Sequence, residues 1–383
     1  MLYLRVRALL GKHRGDRLAR KLKSDRVLFT TILFLVCVSV VMVYSASAML
    51  ADERFQQPYL FLGKQVLWIV LGLAILSIAM RVDYRRYRNN TVVWGMLGLT
   101  TLMLVVVLFR APVNNASRWI GLGGFGIQPS ELAKLACILF TALTLERRMD
   151  KINEISYSLL PIGVVVGVIS TLIFFQPDFG TLFSLVLVVA VMIVAAGLQW
   201  RYIAGGLVVL VPTTYFLLMS APYRRARITA FLDPWGDQFG DGFQLIQSLI
   251  AVGTGGIFGR GLMAGVQKLF YLPEPHTDFI YAVIAEELGL IGATAILICF
   301  LIIAWRGLRI AIRAPDRFAS FVALGVTAMI TLQAFINMSV TLGLLPTKGI
   351  PLPLISAGGS SLLITLLGLG MLLNISQHET AEE

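Results

Sequence analysis

Ten apolar runs, each of roughly the 20 residues that a bilayer-crossing helix needs, divide this sequence into alternating membrane-length and polar segments. They cover Val27–Leu50, Leu60–Met80, Val92–Phe109, Pro129–Leu145, Leu159–Phe175, Thr181–Gly197, Tyr202–Ser220, Phe279–Trp305, Ser320–Leu342 and Ser360–Ile375, each ending at charges, Pro or Gly. A soluble fold could not cover them: 57% of the 383 residues are apolar and 14% charged, against roughly 25% charged in soluble domains. The expected fold is an all-α polytopic membrane protein of about ten transmembrane helices. Residues 27–375 would form the membrane domain, between a basic tail (1–26) and a short C-terminal tail (376–383).

The net charge of +11 would suit nucleic acid on a soluble surface, but here it is concentrated beside the membrane. Residues 1–26 hold nine Lys and Arg against Asp16 and Asp25, which predicts a cytoplasmic tail held against anionic membrane lipids. No nucleic-acid partner is expected. The basic region is too long, and its apolar run too complete, for a cleaved signal peptide. Basic residues recur in alternate loops: Arg81, Arg85, Arg86 and Arg88; Arg147, Arg148 and Lys151; Arg201; and Arg306, Arg309, Arg313 and Arg317. Both termini are therefore expected in the cytoplasm. Cys37, Cys137 and Cys299 all lie inside apolar runs, where packing is the expected role and a metal cluster with the three scattered histidines is not.

Ala221–Asp278 separates the seventh and eighth runs as one large extracytoplasmic loop (221–278). It opens with Arg224, Arg225 and Arg227 on the face where basic residues are disfavoured, and it balances five basic against five acidic residues. With Trp235, Phe239, Phe243, Phe270 and Tyr271, this composition predicts a folded amphipathic lid lying on the membrane. Its glycines suit close backbone approach to a phosphate as well as they suit plain turns.

Ionisable residues within spans mark functional sites by default. Glu131 and Lys134 are spaced i, i+3 at the start of the fourth run, close enough to pair on one helix face; they would tie helices together, line a charged cavity, or both. Asp278 stands where the long loop becomes the eighth helix. It suits a simple N-cap and equally a general base at a membrane–water boundary. Glu286 falls about 80° around an ideal helix from Asp278, with Glu287 opposite. Asn114–Ile120, Gln176–Gly180 with Asp178, and Leu345–Ser361 with Ser356 are broken, polar segments of the kind tolerated only against protein or water. All fall on the same side as Asp278, where Arg118, Lys134, Lys268 and Lys348 would cradle a phosphorylated lipid headgroup.

At these segments the chain resembles the SEDS (shape, elongation, division and sporulation) family, from about Val27 to the C-terminus. The resemblance rests on Ala116–Trp119, Gln128–Lys134, Gln176–Gly180, Leu272–Phe279 followed by Glu286–Gly289, and Gly358–Ser361. Leu345–Gly349 and Leu354–Ser356 are closer to the cell-division branch than to the elongation branch.

The resemblance implies a peptidoglycan glycosyltransferase that polymerises lipid II, both donor and acceptor, in the bacterial cytoplasmic (inner) membrane at the division septum. It matches Asp278 to the family's essential aspartate, and Glu131 with Lys134 to its ion pair. Asp278 would take the proton of the acceptor GlcNAc 4-hydroxyl as that oxygen inverts the donor MurNAc anomeric carbon and undecaprenyl pyrophosphate leaves. Cationic side chains, or a divalent cation (Mg or Mn), would offset the growing pyrophosphate charge; no other cofactor is implied. Expected partners are a class B penicillin-binding protein transpeptidase and other division membrane proteins. Three alternatives stand beside this: a lipid II flippase, for which charged, broken spans are equally suited but no internal repeat is found; a division scaffold without chemistry; and a polymerase of the elongation branch.

Overall fold

The computed structural model of the chain describes residues 24–110, 118–122, 125–220, 222–269 and 271–379. The tail up to Lys23, the segment through Ala116 and Ser117, Phe270 and the last four residues lie outside the described residues. In chain order the helices are α1 (Arg26–Phe55), α2 (Leu60–Arg81), α3 (Asn90–Leu108), α4 (Pro129–Arg148), α5 (Leu160–Phe174), α6 (Phe179–Ala195) and α7 (Trp200–Met219). Then α8 (Pro222–Leu232) and α9 (Phe243–Gly255) occupy the long loop, followed by α10 (Ile280–Arg313), α11 (Arg317–Thr341) and α12 (Gly359–Ser376). All except α8 and α9 coincide with the ten apolar runs. One element departs from the all-α expectation: an antiparallel hairpin of β1 (Ile120–Leu122) and β2 (Phe125–Ile127), with Gly121 opposite Gly126.

Among the described residues, seven stretches are long and apolar enough to cross a membrane: α1, α2, α3, α5 with its leading turn, α10, α11 and α12. The chain is a multi-pass membrane protein. α4 falls short in apolarity because Glu131, Lys134 and Glu146 interrupt it. α6, with 17 residues, rises about 26 Å, slightly less than the roughly 30 Å hydrocarbon layer.

Several helices begin where an Asp or Asn side chain satisfies free first-turn N–H groups. Asp25 accepts from Leu28, Asn89 from Thr91, Asp178 from Thr181 and Asp316 from Ala319, at 2.8–3.3 Å. α4 is buried along nearly its whole length from Pro129 to Leu145 and packs beside the equally buried α11, so these two form the centre of the bundle. α3 and α5 bury only a stripe each, as peripheral helices do. Cys137 is buried in α4, whereas Cys37 is exposed on α1 instead of packed.

At the bundle end where the described residues begin and end, Arg306 pairs with Asp25, whose N–H donates to Ser376 Oγ at 3.1 Å. There too the Tyr84 hydroxyl donates to Asp316 at 2.7 Å. The other end holds Asp278 and the broken segments.

The second half of the long loop packs along α10, with Gly265 and Lys268 buried and most of residues 256–264 exposed. α10 is interrupted at Gly289 (φ 65°, ψ −164°), and the loop satisfies the backbone groups this break frees. Arg260 and Gly261 donate to the carbonyls of Glu286 and Glu287 at 3.0 Å, while Leu290 and Ile291 donate to Gly256 and Ile257. Non-helical backbone is thus accommodated by pairing with other backbone, as a low-dielectric setting requires.

Candidate active site

Asp278 precedes α10, whose N-cap is Phe279 with no side-chain capping bond. The aspartate is therefore not the helix cap. Three consecutive carbonyls hold its segment against Ser356 and Ala357 and against Asn337 of α11. His276 accepts from the Ala357 N–H at 2.9 Å, Thr277 from Ser356 Oγ at 2.5 Å, and Asp278 from Asn337 Nδ2 at 2.8 Å. Gly349 lies directly against the carboxyl: a Cβ there would sit 2.9 Å from Asp278 Oδ2.

Asp278 is half-buried, and burial pushes its carboxyl up to about 7, reinforced by Glu274 and Asp178 and opposed by Arg118 and Arg227. Among the described residues its carboxylate oxygens have no hydrogen-bond or ion-pair partner. Arg227, from α8, donates to the Thr347 carbonyl at 3.4 Å. Burial and the neighbouring Arg227 lower the Lys348 ammonium from its ordinary value, and its Nζ lies 4.5 Å from the Phe183 ring centre. Arg118 is anchored through the carbonyls of Gln176 and Pro177. A carboxyl poised near neutrality and facing two guanidiniums, one of which also neighbours the Lys348 ammonium, can take a proton while its surroundings receive an anion.

Glu131 and Lys134 form a buried ion pair of 2.9 Å. Pro129 at the first turn of α4 and the i, i+3 spacing bring them onto one face. Lys134 also donates to Gln333 Oε1 at 2.8 Å, so it points into the protein and not at a ligand. Asp178 accepts from Gln128 Nε2 at 2.8 Å and Ser130 Oγ at 3.1 Å while capping α6. It ties the starts of α4 and α6 together.

Lys268 and Glu286 belong to a different cluster. Glu286 accepts from the N–H groups of Val266 and Gln267. Lys268 pairs with Glu287 at 2.6 Å and donates to Ser45 Oγ of α1 at 2.8 Å. The expectation that Glu286 shares the face of Asp278 assumed a helix already regular at Asp278, and the expectation that Lys268 joins the headgroup cradle rested on its side of the membrane alone. Asp278 lies outside the helix, and both glutamates are turned to the long loop.

The site thus collects Asp278, Arg118, Asp178, Lys348 and Ser356 from segments far apart in sequence. The FtsW/RodA/SpoVE model, described as cell cycle protein, matches residues 25–381. The chain belongs to that family. It is 45% identical to the probable peptidoglycan glycosyltransferase FtsW of Geobacter metallireducens, over 92% of this chain and 95% of the relative. It is 44% identical to the stage V sporulation protein E of Bacillus subtilis, over 94% of this chain and 98% of the relative. Among solved structures, a chain from work on structural coordination of polymerization and crosslinking by a peptidoglycan synthase complex aligns with a TM-score of 0.76 and 31% identity, covering 92% of this chain and 97% of that one. The rod shape determining protein RodA of Thermus thermophilus aligns with a TM-score of 0.69 and 26% identity, covering 94% and 98%.

Three residues of this FtsW/RodA/SpoVE member enter the site without having been singled out from sequence. Arg227 was visible only as part of a basic run on the disfavoured face. Gln333 and Asn337 are polar residues i, i+4 in an apolar span, a pattern that marks one helix face but does not say what it meets.

Proposed function

We propose that this chain is a peptidoglycan glycosyltransferase that polymerises lipid II during septal cell-wall synthesis in the bacterial cytoplasmic membrane. In this reading all ten long helices span, both termini are cytoplasmic and the Asp278 end faces outward. The observation that carries it is Asp278 itself: a carboxyl near neutrality, without a hydrogen-bond or ion-pair partner among the described residues, facing Arg118 and Arg227.

Asp278 takes the proton from the acceptor GlcNAc 4-hydroxyl. The oxygen forms its bond to the donor MurNAc anomeric carbon from the face opposite the leaving group. The bond from that carbon to the pyrophosphate oxygen breaks, inverting the centre, and undecaprenyl pyrophosphate departs with both electrons. Arg118, Arg227 and Lys348 offset the charge that grows on it. The leaving group is a weak base, so one carboxylate suffices where glycosidases use two. A divalent ion would find Glu274 and Asp278 as nearby carboxylates, since Asp178 is occupied by three donors. No group of three metal-ligating side chains exists among the described residues. Cationic side chains, or a divalent ion held by these carboxylates together with the pyrophosphate oxygens, would supply the counter-charge.

The similarity to a chain of a peptidoglycan synthase complex supports a penicillin-binding protein transpeptidase as partner. The test is glycan-strand synthesis from lipid II by the purified chain with that partner, its crosslinking blocked. Strands from the wild type and none from Asp278→Asn at equal folded concentration support the reading. Translocation of lipid II without strands would favour the flippase alternative.

A further inference from the structure

We infer that Gln333 and Asn337, one turn apart on α11, are positioning residues: an amide ladder through which the Glu131–Lys134 pair sets the placement of Asp278. The inference rests on Asp278 being the base of the proposed reaction.

The lower rung begins at Lys134, whose ammonium has donors only. It donates to Gln333 Oε1 at 2.8 Å, and Gln333 Nε2 donates to the Pro351 carbonyl at 3.0 Å. A neutral amide can accept at one end and donate at the other, which is what a link from a cation to a carbonyl needs. The upper rung is Asn337. Its Nδ2 spends both hydrogens, on the carbonyls of Ile350 at 2.7 Å and Asp278 at 2.8 Å. Its Oδ1 is buried without a partner among the described residues. A buried unpaired oxygen carries a cost, so it is the donor half of this side chain that the site uses.

Ile350 and Pro351 directly follow Gly349, which touches the Asp278 carboxyl. The ladder therefore holds the catalytic carbonyl, and the wall facing the catalytic carboxyl, at fixed distance from one rigid helix. Around that carboxyl stand Glu274, Arg118, Arg227 and Asp178, with Lys348 adjoining. If the wall loosens, water reaches Asp278 and its ionisation returns toward that of an ordinary carboxyl.

The test is strand synthesis with the partner present, at matched folded concentration, by Asn337→Leu, Asn337→Ser and Gln333→Met. Leu removes both donors and adds no charge; Ser keeps one donor. For Asn337→Leu the expected result is a fall in kcat of about 10–10²-fold from misplacement, a KM for lipid II within about twofold, and an acid limb of the pH profile moved about one unit toward acid. Ser should recover part of each change, and Gln333→Met should resemble Lys134→Met, the two combined being little worse than either alone. Should Asn337→Leu fail to fold, Asn337→Ser and Gln333→Met carry the test by the same kcat and pH readouts. Wild-type kcat with an unmoved acid limb in the folded variants overturns the ladder, as does a rate loss that merely tracks lost folded protein. An inactive wild type, or an active Asp278→Asn, overturns instead the assignment of Asp278 on which the ladder rests.

Discussion

Lys268 Nζ stands 2.6 Å from Glu287 Oε1, and neither side chain is more than 4% exposed. This pair, shared with Ser45 of α1, fastens the long loop to α1 and α10. Lys268→Met leaves Glu287 buried and uncompensated, at a cost of about 3–5 kcal/mol. Lys268→Met with Glu287→Gln should regain much of it. Thermal unfolding of the purified variants in detergent checks both; equal melting of wild type and Lys268→Met would show the pair to be dispensable.

The Glu131–Lys134 pair is buried in the same way. Either alanine variant should lose about 3–5 kcal/mol together with most strand synthesis. Exchanging the charges (Glu131→Lys with Lys134→Glu) should restore only part of the stability, because a lysine in the first turn of α4 opposes the helix dipole. Melting temperatures of the three variants settle the order.

Asp278→Asn should lower strand synthesis by about 10²–10⁴-fold, the usual contribution of a general base, while expression and partner binding persist. In the wild type, synthesis should rise about tenfold per pH unit below about 7 and level off above it, since only the ionised form takes a proton. The folded carboxyl titrates above its ordinary 3.8. Its ionisation therefore disfavours the fold, with stability falling as pH rises from 3.8 through about 7. Asp278→Asn should accordingly melt higher than wild type at about pH 8 and equal to it near about pH 4. A pH-independent difference would contradict the assignment.

Gly349→Ala brings a methyl to 2.9 Å from Asp278 Oδ2. The carboxyl can swing aside, so the variant should melt close to wild type. A displaced base should still cost about tenfold or more in kcat. Unimpaired synthesis by this variant would mean that the contact does not set the geometry.

Gly289→Ala meets both a positive φ and the Gly259 backbone nitrogen, 2.3 Å from the new Cβ. Backbone on both sides cannot yield cheaply. The expected loss exceeds the roughly 1–3 kcal/mol of φ strain alone, with increased proteolysis between α9 and α10 as the accompanying sign.

The ten helices were legible in the sequence because a membrane removes alternatives: an apolar run of spanning length can only be helical, and its limits are charges, Pro and Gly. The α4 pair was legible too, since i, i+3 spacing on one helix dictates contact. The loops were different. Whether Lys268 reaches a ligand or Glu287, and whether Glu286 shares a face with Asp278, depended on the path of residues 256–269 and on where α10 begins, which local periodicity does not encode. Arg227, Gln333 and Asn337 gained their roles from contacts with Asp278 and residues 347–351 that lie far along the chain or across helices. Composition and spacing along one chain determined the spans and the charged candidates. Only tertiary packing decided which charges satisfy one another, and left the Asp278 carboxyl without a hydrogen-bond or ion-pair partner among the described residues.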